Sequence, residues 1–476
     1  MGDPLRVTRR DRLAASSRVE SKDESICQGR KSSRSLNLPT FFDKPMNLPN
    51  HETDSPIWRP YTQMKTTPPP LKVVKGEGVW LELEDGRRIL DCISSWWVTI
   101  HGHGHPALAE ALYHQAQQLE QVIFANFTHD PAEQLARKLL THVPDALTRV
   151  FFTDNGSTAI EAALKMAYQY WLNQGETNRT RFLVFEKGYH GDTIGAMSLG
   201  IGCSWWEPFR PLLIEMDTAP FPATFDDDPA VEIKESQALE QIELLLKQGT
   251  YAGIFIEPLI QGAGGMRMCR PEFLRSLQTI ARQFGVLIIY DEVMTGFGRT
   301  GELFACSKSG TTPDILCLSK GLSGGCLPLA VTLATEAIYQ TFYSDDASKM
   351  FLHGHSYTGN PLACATGLTS LNLLEQTPQR FRALEALHRR YLETWLLGHS
   401  RIESVRVCGT IVAMEITTDQ TSGYFNTIGA ELRDRFLELG FFIRPLGNTL
   451  YLMPPYCISD RELESVYQVI RKVLDT

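Results

Sequence analysis

Short apolar runs alternate with helix-length segments along most of the chain from about residue 80 onward. Each run is bounded by glycine, proline or polar residues. Continuous apolar runs of this kind are typical of strands that are buried on both faces. The pattern therefore predicts an α/β fold with a mainly parallel sheet covered by helices. The predicted strands are residues 150–153, 182–185, 253–257, 286–291 and 315–318.

The two ends of the chain depart from this pattern. From residue 377 onward, long amphipathic helices come first and short strands follow around 405–416 and 440–453, which indicates a second unit. Residues 1–45 are rich in serine and carry ten Lys or Arg against six Asp or Glu. We predict that they are a disordered extension or result from a start codon assigned too early. A targeting segment is the alternative, which the scattered acidic residues disfavour.

Composition and net charge disfavour several classes of function. The chain has 43% apolar and 21% charged residues, which is typical of a globular protein. It contains no apolar run of the roughly 18 residues that a membrane span requires. The net charge of −9 disfavours binding to nucleic acid or to an anionic membrane. Because the ten cysteines are scattered without a C-x-x-C pair, we expect reduced thiols in a cytoplasmic protein.

Three places in the sequence carry candidate chemistry. Gly156 and Ser157 lie where a strand meets a helix, and a helix N-terminus can bind a phosphate. Asp291 ends a buried strand, at the edge where ligands of open α/β sheets bind. Lys320 directly follows another buried strand, where burial lowers the pKa of a lysine and frees its amine to form a Schiff base. A capped helix, a strand-end acid and a solvent-reaching lysine are the alternative interpretations.

Taken together and in this order, the three places match the requirements of pyridoxal 5'-phosphate (PLP). The helix N-terminus would bind its phosphate, and Asp291 would keep its ring nitrogen protonated. Lys320, which comes 29 residues later, would hold its aldehyde. We therefore predict a PLP-dependent enzyme that moves an amino group between two small molecules and uses no metal ion.

The chain resembles the class III aminotransferases from about residue 56 to residue 476. The matching residues are Asn-Gly-Ser at 155–157, Gly-Tyr-His-Gly at 188–191, Ile-Glu-Pro at 256–258, Asp-Glu-Val-Met-Thr-Gly-Phe-Gly-Arg-Thr-Gly at 291–301, Ser-Lys-Gly at 319–321 and Thr-Gly-Asn-Pro-Leu-Ala at 358–363. The resemblance implies the PLP-dependent transferase type I fold, with a large PLP-binding domain at 94–376. A smaller α+β domain would combine residues 46–93 and 377–476. The resemblance also implies a homodimer with active sites at the subunit interface.

The resemblance further implies roles for individual residues. The implied catalytic residues are Lys320, Asp291 and Tyr189. The implied cofactor-binding residues are Gly156, Ser157, Tyr189, Asp291, Val293 and Lys320, with His355 and Ser356 reaching across from the other subunit. The implied substrate-binding residues are Tyr61, Trp96, Tyr189, Lys320, Gly354 and Arg444. Aromatic walls suit a long alkyl chain, and one arginine suits its terminal carboxylate.

Within the class, the most similar branch acts in biotin biosynthesis and converts 8-amino-7-oxononanoate to 7,8-diaminononanoate. Residues 58–62, 94–97, 100–102, 261–268, 444–445 and 451–456 carry this likeness. The amino donor is open between two candidates. Residues 353–361 and 324–332 are more similar to the branch that uses L-lysine, whereas residues 451–456 follow the branch that uses S-adenosylmethionine. We predict S-adenosylmethionine as the donor.

Two motifs favour other kinds of site. His101, His103 and His105 would place three imidazoles on one face of an extended segment, as a metal site needs, but no further ligand lies nearby in the sequence. Gly-Leu-Ser-Gly-Gly at 321–325 matches the nucleophile motif of α/β-hydrolases. It lacks a clear strand, elbow and helix around Ser323.

Two other functions stay open on the sequence. An ω-amino acid or ornithine-type class III transaminase is the enzymatic alternative, and Tyr61, Trp96 and Trp97 disfavour it. A PLP-binding regulator without catalysis is the non-enzymatic alternative, and the presence of both Lys320 and Asp291 disfavours it.

Overall fold

The computed structural model describes residues 55–200 and 204–476, so the predicted extension at 1–45 lies outside the described residues. The strands are β1 (Val73–Glu77), β2 (Trp80–Leu83), β3 (Arg88–Asp91), β4 (Leu147–Thr153), β5 (Arg181–Phe185), β6 (Asp217–Ala219), β7 (Tyr251–Ile256), β8 (Ile260–Gln261), β9 (Arg267–Met268), β10 (Leu287–Asp291), β11 (Ile315–Leu318), β12 (Ala330–Thr335), β13 (Ile402–Cys408), β14 (Ile411–Ile416), β15 (Phe441–Phe442) and β16 (Thr449–Leu452). The helices are α1 (Ser94–Trp97), α2 (Pro106–Ala116), α3 (Asp130–Leu140), α4 (Gly156–Asn173), α5 (Ile194–Ser198), α6 (Val231–Leu246), α7 (Pro271–Gln283), α8 (Ala305–Ser309), α9 (Glu336–Phe342), α10 (Pro361–Gln376), α11 (Pro378–Tyr391), α12 (Ile428–Glu438) and α13 (Asp460–Leu474).

The central sheet has the strand order β4-β12-β11-β10-β7-β5-β6. The neighbouring pairs from β11 through to β6 are parallel, whereas β12 runs antiparallel to both β11 and β4. The predicted α/β fold with a mainly parallel sheet is therefore confirmed. Strands β4, β5, β7, β10 and β11 overlap the predicted strands, and β12 was not among them.

Successive residues of the central strands pack on opposite faces of the sheet. Ile254 and Ile256 of β7 belong to the apolar core on one face, and Phe255 between them belongs to the core on the other. Helix α4 covers the second face by packing on β11 and β12. Because both faces are covered, the inner strands β7, β10 and β11 are mainly apolar, and this is the pattern that allowed their prediction.

Both chain ends contribute strands to smaller sheets. In the sheet of order β1-β2-β3-β15, β15 pairs in parallel with β3. Strands β13, β14 and β16 form an antiparallel sheet. The predicted division into domains at residues 94 and 376 stays a prediction. In the described part of the chain, no helix is both long and apolar enough to cross a membrane.

Candidate active site

A cavity of about 410 Å³ opens at the edge of the central sheet where its parallel strands end. Asp291 is the last residue of β10, Glu257 directly follows β7, and Lys320 follows β11 by two residues. All three line the cavity. This edge is where ligands bind in open α/β sheets, so the topology brings together side chains that are far apart in sequence.

Lys320 faces the cavity from a strained backbone. Its φ is 45°, in the left-handed region that costs energy for a residue other than glycine. Its amine lies 5.1 Å from the centre of the Trp97 ring. Burial lowers the pKa of Lys320, and the charges of Asp291 and Glu257 oppose this effect only in part. A lower pKa increases the fraction of the neutral amine, which is the nucleophilic form.

Asp291 is paired with His190 in the floor of the site. His190 Nδ1 lies 2.7 Å from Asp291 Oδ2, and both side chains are buried. The backbone N–H of Val293 donates to Asp291 Oδ1 at 3.0 Å. Burial alone would lower the pKa of His190, but the hydrogen bond and charge of Asp291 outweigh it and raise that pKa. The raised pKa favours an ion pair that holds the Asp291 carboxylate in place.

Glu257 is a second buried carboxylate beside the cavity. It accepts hydrogen bonds from the backbone N–H groups of Tyr189 at 2.9 Å and Gly262 at 2.8 Å. Burial raises the pKa of Glu257 to about 7, although both hydrogen bonds act in the opposite direction. Glu257 thus fixes the backbone of Tyr189, whose ring lines the cavity. The sequence prediction assigned no role to Glu257 or His190, although both lie in quoted motifs.

The N-terminus of α4 lines the cavity with Gly156 and Ser157. Asn155 caps the helix reciprocally with Thr158, and each of the two hydrogen bonds is 3.1 Å long. The first backbone N–H groups of a helix have no partner within it, so they are available to an anion. A Cβ on Gly156 would lie 2.8 Å from Val293 Cγ1, so only glycine allows the helix to approach this closely.

The outer part of the site is a wall formed by two aromatic side chains, Tyr61 and Trp96, and by the Arg444 guanidinium. The Tyr61 hydroxyl lies 3.4 Å from the Tyr189 hydroxyl, which links the wall to the cavity. The Tyr61 and Trp96 rings are 5.5 Å apart, and the Arg444 guanidinium lies 4.9 Å from the centre of the Trp96 ring. The predicted substrate residues Tyr61, Trp96, Tyr189 and Arg444 therefore lie in one chain of contacts.

Asp192 joins this wall, although the sequence prediction did not include it. The Tyr61 hydroxyl donates a hydrogen bond to the Asp192 carboxylate. Burial raises the pKa of Tyr61, and this hydrogen bond raises it further. The backbone N–H of Asp192 lies 3.3 Å from the Ser157 hydroxyl, so Asp192 bridges the wall and the start of α4. Its position one residue after the Gly-Tyr-His-Gly motif was the available signal.

Six of the predicted site residues do not line the cavity of the single chain, namely the wall residues Tyr61, Trp96 and Arg444, and also Gly354, His355 and Ser356. Gly354 and Ser356 are exposed, and His355 Nε2 lies 3.9 Å from Asp154 Oδ1. The backbone carbonyl of Ser356 accepts a hydrogen bond from Gln121 at 2.8 Å. Their predicted reach into the site of another subunit stays a prediction.

The two motifs that favoured other sites have structural explanations. His101 Nε2 lies 2.9 Å from the Ser370 hydroxyl, and His103 Nε2 lies 2.8 Å from Asp91 Oδ2. Among the residues that the structure describes, no three His, Cys, Asp or Glu side chains are grouped to hold a metal ion. The Ser323 hydroxyl donates to the Leu327 carbonyl from a short 3-10 turn, so it does not occupy the apex of a nucleophile elbow.

The chain is similar to known proteins both in sequence and in structure. The family described as aminotransferase class-III matches residues 61–474. A relative from Synechococcus elongatus, named adenosylmethionine-8-amino-7-oxononanoate aminotransferase, is 50% identical over 428 residues, which cover 90% of this chain and 100% of the relative. A crystal structure of the same name from Methanocaldococcus jannaschii is 33% identical, with a TM-score of 0.82, and the match covers 88% of this chain and 96% of that one. An amine transaminase from an uncultivated Pseudomonas species, solved in its PLP-bound form, is 28% identical, with a TM-score of 0.81 and coverage of 89% and 98%.

Proposed function

The chain belongs to the class III aminotransferases, and from this premise we propose that it converts 8-amino-7-oxononanoate to 7,8-diaminononanoate in biotin biosynthesis. PLP is the cofactor, and S-adenosylmethionine is the amino donor. One observation carries the proposal: the wall of Tyr61, Trp96 and Arg444 meets the cavity of Lys320 through Tyr189. A site of this kind can hold a long carboxylate substrate with its reacting end beside the lysine.

The residues of the cavity suit PLP. The free N–H groups at Gly156 and Ser157 suit a phosphate. The Asp291 carboxylate, paired with His190, suits a protonated ring nitrogen. Lys320, whose pKa is lowered, suits an aldehyde. These three groups lie on one cavity, which is the arrangement that the cofactor requires.

The chemistry divides between the cofactor and the chain. PLP, when bound, supplies an aldehyde that binds the amino group and a ring that accepts electrons from the adjoining carbon. Lys320 holds the aldehyde in the resting enzyme, and its Nζ accepts and returns the proton during transfer. Asp291 holds the proton on the ring nitrogen, and His190 orients Asp291. Glu257 fixes the backbone of Tyr189 so that its ring covers the site.

The outer wall suits the proposed acceptor. The Trp96 and Tyr61 rings offer an apolar surface to an alkyl chain, and Arg444 offers a cation to the carboxylate at its end. Arg444 already lies on the Trp96 face, so it is oriented before substrate binds. An ω-amino acid or ornithine-type transaminase is the second candidate, since the solved amine transaminase shares the fold.

We also propose a homodimer with active sites at the interface. Leu352 and Tyr357, which flank the predicted residues Gly354, His355 and Ser356, are 73% and 64% exposed. Large apolar side chains at this exposure beside a functional segment favour an interface. A cytoplasmic enzyme with small-molecule substrates fits the acidic net charge and the unpaired cysteines among the described residues.

A half-reaction experiment tests the proposal. The purified PLP-loaded protein is mixed with S-adenosylmethionine or, separately, with L-lysine, and the visible absorbance band of the lysine-bound cofactor is followed. We expect S-adenosylmethionine to remove the band and 8-amino-7-oxononanoate to restore it. The Lys320→Ala variant is the matched control, because it leaves the aromatic wall intact and removes the amine.

Each other outcome identifies a different error. Loss of the band with L-lysine but not with S-adenosylmethionine would correct the donor and keep the reaction. Restoration by β-alanine or ornithine partners, with no response to 8-amino-7-oxononanoate, would favour the ω-amino acid type. A band that responds to no donor would favour a PLP-binding regulator, and the absence of a band would refute the cofactor.

A further inference from the structure

The turn at Ser94–Trp97 has a strained backbone. Ser94, Ser95 and Trp97 have φ values of 52°, 59° and 69°, all in the left-handed region that residues with a Cβ avoid. Strain of this kind persists only where the surrounding structure holds it. Three such residues within four positions therefore require a strong local restraint.

The side chain of Asp91, which is fully buried at the end of β3, supplies this restraint. Its Oδ1 accepts a hydrogen bond from the backbone N–H of Ile93 at 3.1 Å. Its Oδ2 accepts from the backbone N–H of Ser95 at 2.6 Å and from the Ser95 hydroxyl at 3.1 Å. His103 Nε2 lies 2.8 Å from the same oxygen. Asp91 thus joins the start of the turn to a residue beyond its end.

The strained turn sends two consecutive tryptophans to different parts of the site. The Trp96 ring contacts Tyr61 at 5.5 Å and the Arg444 guanidinium at 4.9 Å, in the outer wall. The Trp97 ring lies 5.1 Å from the amine of Lys320, and its indole N–H donates to the Tyr451 hydroxyl at 3.0 Å. One backbone turn therefore determines the positions of Trp96 in the outer wall and of Trp97 beside Lys320.

We propose that Asp91, together with His103, is a positioning residue that holds Trp96 and Trp97 in their places in the site. The role deepens the proposed function and rests on it, since Trp96 is taken to contact the substrate. Asp91 touches neither the cavity nor the reacting groups and acts through the turn alone. Asparagine at position 91 would replace one acceptor oxygen with an NH₂ group that faces a backbone N–H donor, of Ile93 or of Ser95, so the turn would relax.

The test compares Asp91→Asn with wild type and with Asp228→Asn. Asp228 is a matched control, because its buried carboxylate also accepts a backbone hydrogen bond, from Ala230 at 3.0 Å, and pairs with a basic side chain, Lys234, at 2.6 Å. The KM and kcat of each holoenzyme are measured at a temperature where all three are folded. The near-ultraviolet circular dichroism of the cofactor-free protein reports the tryptophan environments independently.

We expect Asp91→Asn to raise the KM for the keto acid by about 10-fold to 100-fold, because small displacements of binding groups cost rates of this order. It should also change the near-ultraviolet tryptophan signal. Asp228→Asn should leave both readouts near wild type. Unchanged KM and unchanged tryptophan signal in a folded Asp91→Asn protein would overturn the proposal, as would equal changes in the two variants.

The His103 variants decide the question if Asp91→Asn does not fold. His103→Gln keeps a side-chain N–H donor for Asp91, and His103→Leu removes it. The proposal requires a higher KM in His103→Leu than in His103→Gln, and equal values would overturn it. If the wild type transfers no amino group to the keto acid, the proposed function fails, while the tryptophan signal still tests whether Asp91 holds the turn.

Discussion

The inner and outer parts of the site differ in burial and in origin. Asp291 and Glu257 are buried at the ends of central strands, and Lys320 faces the cavity just beyond another strand. In contrast, Tyr61 and Trp96 are 45% and 43% exposed, and Arg444 is half-buried. These outer residues come from segments near the two ends of the chain.

The difference in burial predicts that substitutions in the two parts have different effects. In the inner part, burial moves pKa values, so protonation depends on the whole fold. In the outer part, binding depends on individual side chains that solvent can reach, and exposed contacts contribute less. Substitutions in the inner part should therefore stop the reaction, whereas substitutions in the outer part should change which substrate binds.

Removal of the Lys320 amine from the inner part should give the largest effect on activity. We expect Lys320→Ala to lower kcat by at least about 10³-fold, because both the attachment of PLP and the proton transfer at Nζ are lost. Steady-state assays with both substrates measure the change. Lys308→Ala is the control, since Lys308 bonds the Thr300 carbonyl and does not line the cavity. A Lys320→Ala enzyme with a tenth of wild-type activity would contradict the assignment of the inner part.

Removal of the Arg444 guanidinium from the outer part should mainly weaken the binding of the keto acid. We expect Arg444→Ala to raise the KM for the keto acid about 10-fold to 100-fold, since a charge-assisted hydrogen bond contributes about 1.5–3 kcal/mol. The kcat should change much less. Arg444→Lys should give an intermediate KM, and Arg401→Ala, at an arginine that bonds the Leu474 carbonyl, should give none of the effect. A fall in kcat with constant KM would place Arg444 with the inner part instead.

The Tyr61 hydroxyl should contribute a smaller amount to the outer wall. We expect Tyr61→Phe to raise KM about 2-fold to 10-fold, because a hydrogen bond of a half-exposed side chain contributes about 0.5–1.5 kcal/mol. The effect should depend on Asp192, which accepts that bond. A double-mutant cycle with Asp192→Asn measures the coupling, and fully additive effects would show that the two side chains act separately.

The pH dependence of the free energy of unfolding should give the smallest effect. It tests how far burial alters the ionisation of a carboxyl group. Burial raises the pKa of Glu292 to about 7, although the N–H groups of Cys306 and Ala305 oppose it. Between its unfolded pKa of about 4.3 and about 7, the folded protein binds more protons than the unfolded chain does. The free energy of unfolding from this group therefore falls as pH rises across that window.

Thermal unfolding across this window measures the effect of Glu292. Glu292→Gln cannot ionise, so its unfolding temperature should fall less with pH than that of wild type, by about 1–3 °C. Glu110→Gln, at an exposed carboxylate of α2, should leave the wild-type slope unchanged. Equal slopes in wild type and Glu292→Gln would show that Glu292 is ionised in the folded protein throughout.

The central strands and the inner residues at their ends could be predicted from sequence. Strands covered on both faces are mainly apolar, and Asp291, Lys320 and Gly156 stand at or within three residues of strand ends, so local sequence contains the signal. Strand β12 was missed despite its apolar sequence. The pairing of His190 with Asp291 was also missed, because 101 residues separate the two side chains.

The sequence by itself determined which residue types stand at the strand ends, and therefore the class of chemistry. Only the tertiary structure decided which groups bond to the carboxylates in and around the site: the Tyr189 N–H to Glu257, the Tyr61 hydroxyl to Asp192, and His103 to Asp91. The physical reason is that strand formation depends on neighbouring residues, whereas a carboxylate takes its hydrogen-bond partners from whatever the fold places within about 3 Å of it.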